Sequence, residues 1–270
     1  KFWQKFYQFN KSLPEEKRIK VIGIDIEHSI YGGIRYLASL LPEKEPPSTI
    51  TPMIEKLKVL EESFSDKKAE KFIRNLQKDL KVNQSAYQEF LGDKLFNFKL
   101  IAENIITSIK KDQIAKGNWI KAVQIRDKQI YENFKQRYSR LPKGKFYGQW
   151  GLNHAFQTSQ GGIDWVASLM DRVGSPVKGQ VLSIAYDYKN CRSREPKSDK
   201  PRKLTYDFSL DGDQAAAGDL TLFKLTGANS PFEKNLYWID EAPGGVTTDY
   251  YQYLVLIKNS DSSTTYQGGN

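Results

Sequence analysis

The chain has 270 residues, 39% hydrophobic and 27% charged, a globular composition with room for one large domain or two small ones. Its net charge is +9, but no zinc-finger spacing, RNP-like aromatic motif or arginine-rich arm accompanies that charge, so nucleic acid is not the expected partner. No apolar run reaches the roughly 18 residues that a membrane span needs, and Cys191, the only cysteine, excludes an intrachain disulfide and a cysteine-based zinc site.

The chain opens on Lys1 rather than Met and shows no signal peptide, which points to a processed or trimmed protein, such as an exported one. Phe2, Phe6 and Phe9 recur at helical spacing. "RIKVIGIDIE", residues 18–27, is a β-branched run that predicts a buried strand whose tip carries Asp25 and Glu27, followed by His28. A turn, a short helix and a proline-rich loop come next. Residues from about 50 to 141 then read as a helical region covering one side of a cleft. Pro52 stands near its start, Ile54, Leu57 and Leu60 share a face, and Phe90, Ile101 and Ile105 are core candidates. Its last helix spans "NWIKAVQIRDKQIYENFKQRYSRL" and stops at Pro142.

The period then changes. Strands are predicted at about 144–149, 180–188, 219–225 and 251–258, with a short amphipathic helix in "GGIDWVASLMDRVG" closed by Gly174. Strand, helix, strand of this size reads as a right-handed crossover between parallel strands. The expectation is a single α/β domain over residues 1–270, with a mostly parallel central sheet flanked by helices and a helical insertion. Cys191 falls in a polar, proline-bearing loop and reads as an incidental thiol.

Function in open α/β sheets gathers at the carboxyl ends of the strands. One predicted strand end carries Asp25, Glu27 and His28; another runs through "KFYGQWGLNHA" to Gln149, Trp150, Asn153 and His154. A carboxylate beside an imidazole orients it and raises its basicity, which makes a general base for water. Gly148 and Gly151 would let a substrate approach the backbone. On the last helix, Arg126, Ile130 and Asn133 share a face, so Arg126 could clamp a carboxylate in the cleft; a surface charge pair with Asp127 is the plainer reading. A turn histidine is also often a hydrogen-bonded structural residue.

The order "VIGIDIE", a helical region, "RDKQIYEN" and "GKFYGQWGLNHA" resembles the erythromycin esterase family, within a wider group that includes TraB/TIKI-like and haem-binding ChaN-like proteins. The resemblance implies an acidic strand tip at Asp25 or Glu27, an Arg-Asp pair at Arg126 and Asp127 with a downstream Asn133, and a functional His154. The family's Gly-Glu-x-x-His segment, ahead of the acidic strand, has no counterpart in this chain. The reading that follows is a hydrolase in which water activated by His154 attacks an ester-type bond of a small molecule. Asp25 or Glu27 would orient the water or the imidazole, Arg126 would stabilise charge, and Asn153, Gln149, Trp150 and Asn133 would contact substrate. Asp, Glu and His at strand tips could hold a divalent metal, but no metal-spacing motif is present, so no cofactor is expected. The alternative is a non-catalytic binding protein on the same scaffold, its cleft holding a small molecule such as haem.

Overall fold

A computed structural model describes residues 2–195, 200–204, 218–236 and 244–262. Their residues in Ile24–Val181 form one compact unit, and those in Lys1–Gly23, Leu182–Asp240 and Gly244–Asn270 form the other.

The first unit is helical. Its helices are α2 (Ile30–Ser39), α3 (Thr51–Glu62), α4 (Asp66–Val82), α5 (Gln84–Leu91), α6 (Leu95–Ala115), α7 (Trp119–Tyr138) and the short α8 (Val166–Asp171). The sequence marks their ends. Ser29 caps α2 by accepting the Gly32 N–H, and Asn118 caps α7 by accepting the Lys121 N–H. The long apolar stretch after Ser85 breaks into α5 and α6 at Gly92, whose φ of +53° with ψ of −128° favours glycine.

Apolar periodicity dictates the packing. In α4, Ala69, Phe72, Ile73, Leu76 and Leu80 are buried on one stripe. They join Ile34, Leu37, Ile54, Leu57, Phe90, Phe98 and Ile105 in one core, with Ile101 partly buried against it. Each such Leu, Ile or Phe withdrawn from water contributes about 1.5–3 kcal/mol before chain entropy is subtracted. Tyr131 and Phe134 of α7 pack separately on Leu169 of α8, with Ile24 alongside.

Among the described residues, the second unit holds α1 (Phe2–Ser12), five strands and α9 (Thr247–Tyr250). Strands β1 (Ile184–Lys189), β4 (Leu220–Lys224) and β5 (Tyr253–Lys258) form a sheet in the order β1-β5-β4. The β1/β5 pair is parallel and the β4/β5 pair antiparallel. Strands β2 (Cys191–Arg194) and β3 (Pro201–Leu204) make an antiparallel pair. The protein is α/β, with helix predominating and a small mixed sheet.

Three of the expected strands therefore form and share a sheet. The other two do not: 18–27 and 144–149 are in no strand among the described residues, so the crossover expected between 144–149 and 180–188 is not made. Both runs have strand-like composition, but β propensity describes fitness for a pleated, half-buried surface, and without a partner strand it makes no ladder. Cys191, expected in a loop, is a buried strand residue whose thiol lies 3.4 Å from the Lys189 carbonyl and 3.3 Å from that of Ile257.

Candidate active site

Helix α7 sets the geometry. Val123, Asp127, Ile130, Tyr131 and Phe134 are all buried at spacings of three and four, so a carboxylate occupies a position on the core stripe. Asp127 is 0% exposed. Its Oδ2 accepts the backbone N–H of Val166 at 3.0 Å, satisfying a donor at the start of α8, and lies 2.9 Å from Nδ1 of His154. An ionised carboxylate can only accept, so Nδ1 carries the proton donated to Asp127, and Nε2 of the neutral ring keeps a lone pair. Oδ1 of Asp127 is buried and has no hydrogen-bond partner among the described residues.

His154 sits in the 3-10 turn Leu152–Ala155, held by its own N–H on the Gly151 carbonyl at 3.0 Å. Its side chain is 14% exposed, enough to meet solvent. The Trp165 ring stands edge-on to it at 5.5 Å, and Trp150 lies tilted at 6.2 Å. Gly148 makes room for that Trp150 ring: a Cβ there would come within 2.5 Å of the indole nitrogen. The glycine expected to admit substrate to the backbone thus admits an indole instead.

Arg126, one residue before Asp127, points about 100° away around the helix and meets Asp25. Its Nε and Nη2 bond Oδ1 and Oδ2 of Asp25 at 3.1 and 2.6 Å, a two-pronged grip. His28 Nε2 lies 3.1 Å from the same Oδ2, and the Ile26 N–H donates to Oδ1. Burial raises the Asp25 pKa, but the hydrogen bonds of Arg126 and His28, the guanidinium charge and the Ile26 N–H outweigh it, holding the carboxyl below its usual range. The hydrogen bond to Asp25 is the main cause of a raised Arg126 pKa.

The Asp25 backbone is tied from within the helices. Asn133, fully buried, donates to the Ile24 carbonyl at 2.9 Å and to Oδ1 of buried Asn104 at 2.9 Å, and accepts from Gln129 at 3.0 Å. Thr107 extends the chain to Gln129 at 3.2 Å.

The expected residues therefore separate. The carboxylate bonded to the His154 imidazole is Asp127, in place of Asp25 or Glu27. Asp25 engages Arg126 and His28, while Glu27 accepts the Ser29 N–H at 3.0 Å where the chain enters α2. Asn133, expected at the substrate, is buried with its amide bonded to Ile24, Asn104 and Gln129. Gln149 and Asn153 are exposed and Trp150 is half-buried. The residues alone read Asp127 as a surface partner of Arg126, the resemblance implied it only as half of an Arg-Asp pair, and neither pointed to Asn104 or Trp165. The available signal was a carboxylate in register with the apolar residues of α7. Among the described residues, no group of three or more His, Cys, Asp or Glu side chains could hold a metal ion, and no helix is long and apolar enough to cross a membrane.

No protein-family model matches the chain, and no curated protein is significantly similar to it. Solved structures do match in fold. The erythromycin esterase EreC, a histidine-to-asparagine mutant in its open conformation, superposes with a TM-score of 0.62 at 12% identity, covering 95% of this chain and 71% of that one. A Bacillus cereus protein gives a TM-score of 0.60 at 17% identity over 98% and 72% of the two chains. A succinoglycan biosynthesis protein gives 0.55 at 15% identity over 95% and 69%. Likeness at these identities is likeness of fold, and the fold is erythromycin esterase-like.

Proposed function

We propose that the protein is a hydrolase that cleaves an ester-type bond of a small molecule, with His154 as general base. The observation that carries this reading is the buried Asp127 carboxylate on Nδ1 of a partly exposed imidazole. That contact fixes the tautomer and leaves Nε2 to take a proton from water. The resulting hydroxide attacks the carbonyl carbon, and the proton on His154 then passes to the departing alkoxide.

Arg126 stabilises negative charge on the substrate or on the tetrahedral intermediate, and Asp25 with His28 holds its guanidinium in place. Trp150, tilted against the imidazole, and the exposed Gln149 and Asn153 are the proposed substrate contacts.

The test is an ester-hydrolysis screen, with p-nitrophenyl esters and erythromycin in the panel, run on the wild type and on His154→Asn. A positioned general base contributes about 100- to 10,000-fold, so the variant should lose activity on that scale while keeping its fold. Undiminished turnover in a folded His154→Asn protein would remove the proposal.

A further inference from the structure

Helix α1 is built like a partnered helix but buries none of its residues. Phe2, Trp3, Phe6, Tyr7 and Phe9 recur at three- and four-residue spacings, and Phe2 and Trp3 are 69% and 66% exposed. Phe2, Trp3 and Phe6 pack on one another, ring centroids 5.2–6.2 Å apart, as an aromatic cluster open to solvent. The chain then folds back on the helix. Asn10 donates to the Ile19 carbonyl at 3.0 Å and accepts the Ile19 N–H at 2.7 Å, imitating with its amide the paired bonds of a β-ladder.

From Ile19 through Ile24 the chain lies in no helix, strand or turn, with Ile19 and Val21 exposed. The backbone N–H and C=O groups of residues 20–23 have no hydrogen-bond partner among the described residues. A β-branched run outside any helix, with open backbone groups beside an exposed aromatic face, is a template for strand addition. Charge narrows the occupant: residues 1–23 hold six basic side chains (Lys1, Lys5, Lys11, Lys17, Arg18, Lys20) against Glu15 and Glu16.

We propose that α1 and residues 19–23 form a docking surface for a strand-forming, acidic polypeptide partner. The partner's backbone pairs with residues 20–23. Its apolar side chains lie on Ile19, Val21 and the α1 aromatics, and its carboxylates meet the surrounding lysines. Open backbone groups favour a peptide over a lipid surface, which would cover the aromatic rings but would leave the strand unpaired.

The probe is a synthetic peptide of about ten residues that alternates Val with Thr and carries Glu at both ends, the length of a long natural strand. A composition-matched scrambled peptide is the control. Hydrogen exchange on the full chain should show the amides of residues 20–23 becoming protected with the alternating peptide alone. Val21→Pro removes one backbone donor at an exposed position, so the chain should fold and its affinity should fall about tenfold or more. Phe6→Ser should weaken binding without changing the register of protection. No protection of residues 20–23, equal binding of both peptides, or full affinity in Val21→Pro would overturn the proposal. So would protection of the same amides by self-association alone, or a Trp3 fluorescence shift on anionic phosphatidylserine vesicles with no response to the peptide.

Discussion

Asp127 and Arg126 are neighbours in sequence, and each holds one charged partner: Asp127 lies 2.9 Å from Nδ1 of His154, while Arg126 grips Asp25 at 2.6 and 3.1 Å. One turn of α7 therefore sets both the proposed base and the proposed cationic group. Shifting that helix by a residue would turn both side chains away from their partners, because each residue is rotated about 100° from the last.

The first prediction concerns Asp127. An amide in its place can still accept the Val166 N–H, but it no longer offers a full charge to the imidazole, and its NH₂ can turn toward the ring and favour the wrong tautomer. Asp127→Asn should lower hydrolysis by a factor within the range of about 100 to 10,000 expected for the base itself. The double variant Asp127→Asn/His154→Asn should be little worse than His154→Asn, since the two residues act as a unit. Rate losses that simply multiply would show that Asp127 does not act through His154.

Acid should act on Asp25. Its folded pKa lies below the ordinary value of 3.8, so between those two values the unfolded chain binds more protons than the folded one. The stabilisation is full above the unfolded value and is lost as pH falls through the folded one. Asp25→Asn removes the titrating group. Urea unfolding midpoints measured from about pH 5 down to about pH 2 should fall less steeply for the variant than for the wild type. Identical acid limbs in the two proteins would mean that the Arg126 and His28 contacts do not persist in solution.

Much of the helical framework is legible in the sequence because helices are specified locally. The stripe Ala69, Phe72, Ile73, Leu76 and Leu80 needs only its own spacing to be read, and a Gly or Asn marks where such stripes end. Strands require a partner that the local sequence does not name. Val21 and Phe146 sit in runs as β-prone as that of Leu254, yet among the described residues only Leu254 lies in a ladder. The site divides in the same way. Arg126, Asp25 and His154 are recognisable as residue types suited to chemistry. Which carboxylate meets which cation depends on a helix rotation and on a turn far along the chain, and Asp127 is hidden by its adjacency to Arg126.

The amide network behind Asp25 should be a point of high sensitivity. Asn133→Ala would leave the Ile24 carbonyl, the Asn104 carbonyl oxygen and the Gln129 amide short of a partner, with Asn104 buried and the other two residues partly buried. Each buried polar group left unpaired costs about 1–3 kcal/mol. Asn133→Ala should therefore destabilise the protein by several kcal/mol at most and by more than His154→Asn does. Asn104→Ala should be less costly in the Asn133→Ala background than alone, because the bond it breaks is already gone. Chemical denaturation of the four proteins measures this coupling, and strict additivity would count against the network.

Gly33 carries the last prediction. It lies inside α2, where replacing glycine by alanine ordinarily stabilises a helix by about 0.8–1.0 kcal/mol. Here a Cβ would stand 2.8 Å from both Cγ1 and Cδ1 of buried Ile105 and 2.9 Å from Cγ of Glu27. Real side chains do not approach so closely, and overpacking a filled core costs typically about 1–3 kcal/mol, which exceeds the helix-propensity gain. Gly33→Ala should thus lower the unfolding midpoint. Ile105→Val, which deletes Cδ1, should by itself cost about 0.5–1.5 kcal/mol. In the Gly33→Ala background the same deletion relieves part of the clash, so its cost should shrink or change sign. The unfolding free energies of the two single variants and the double variant decide the matter. A Gly33→Ala protein more stable than the wild type, or a double variant whose loss is the sum of the single losses, would mean that α2 and α6 do not close on Gly33.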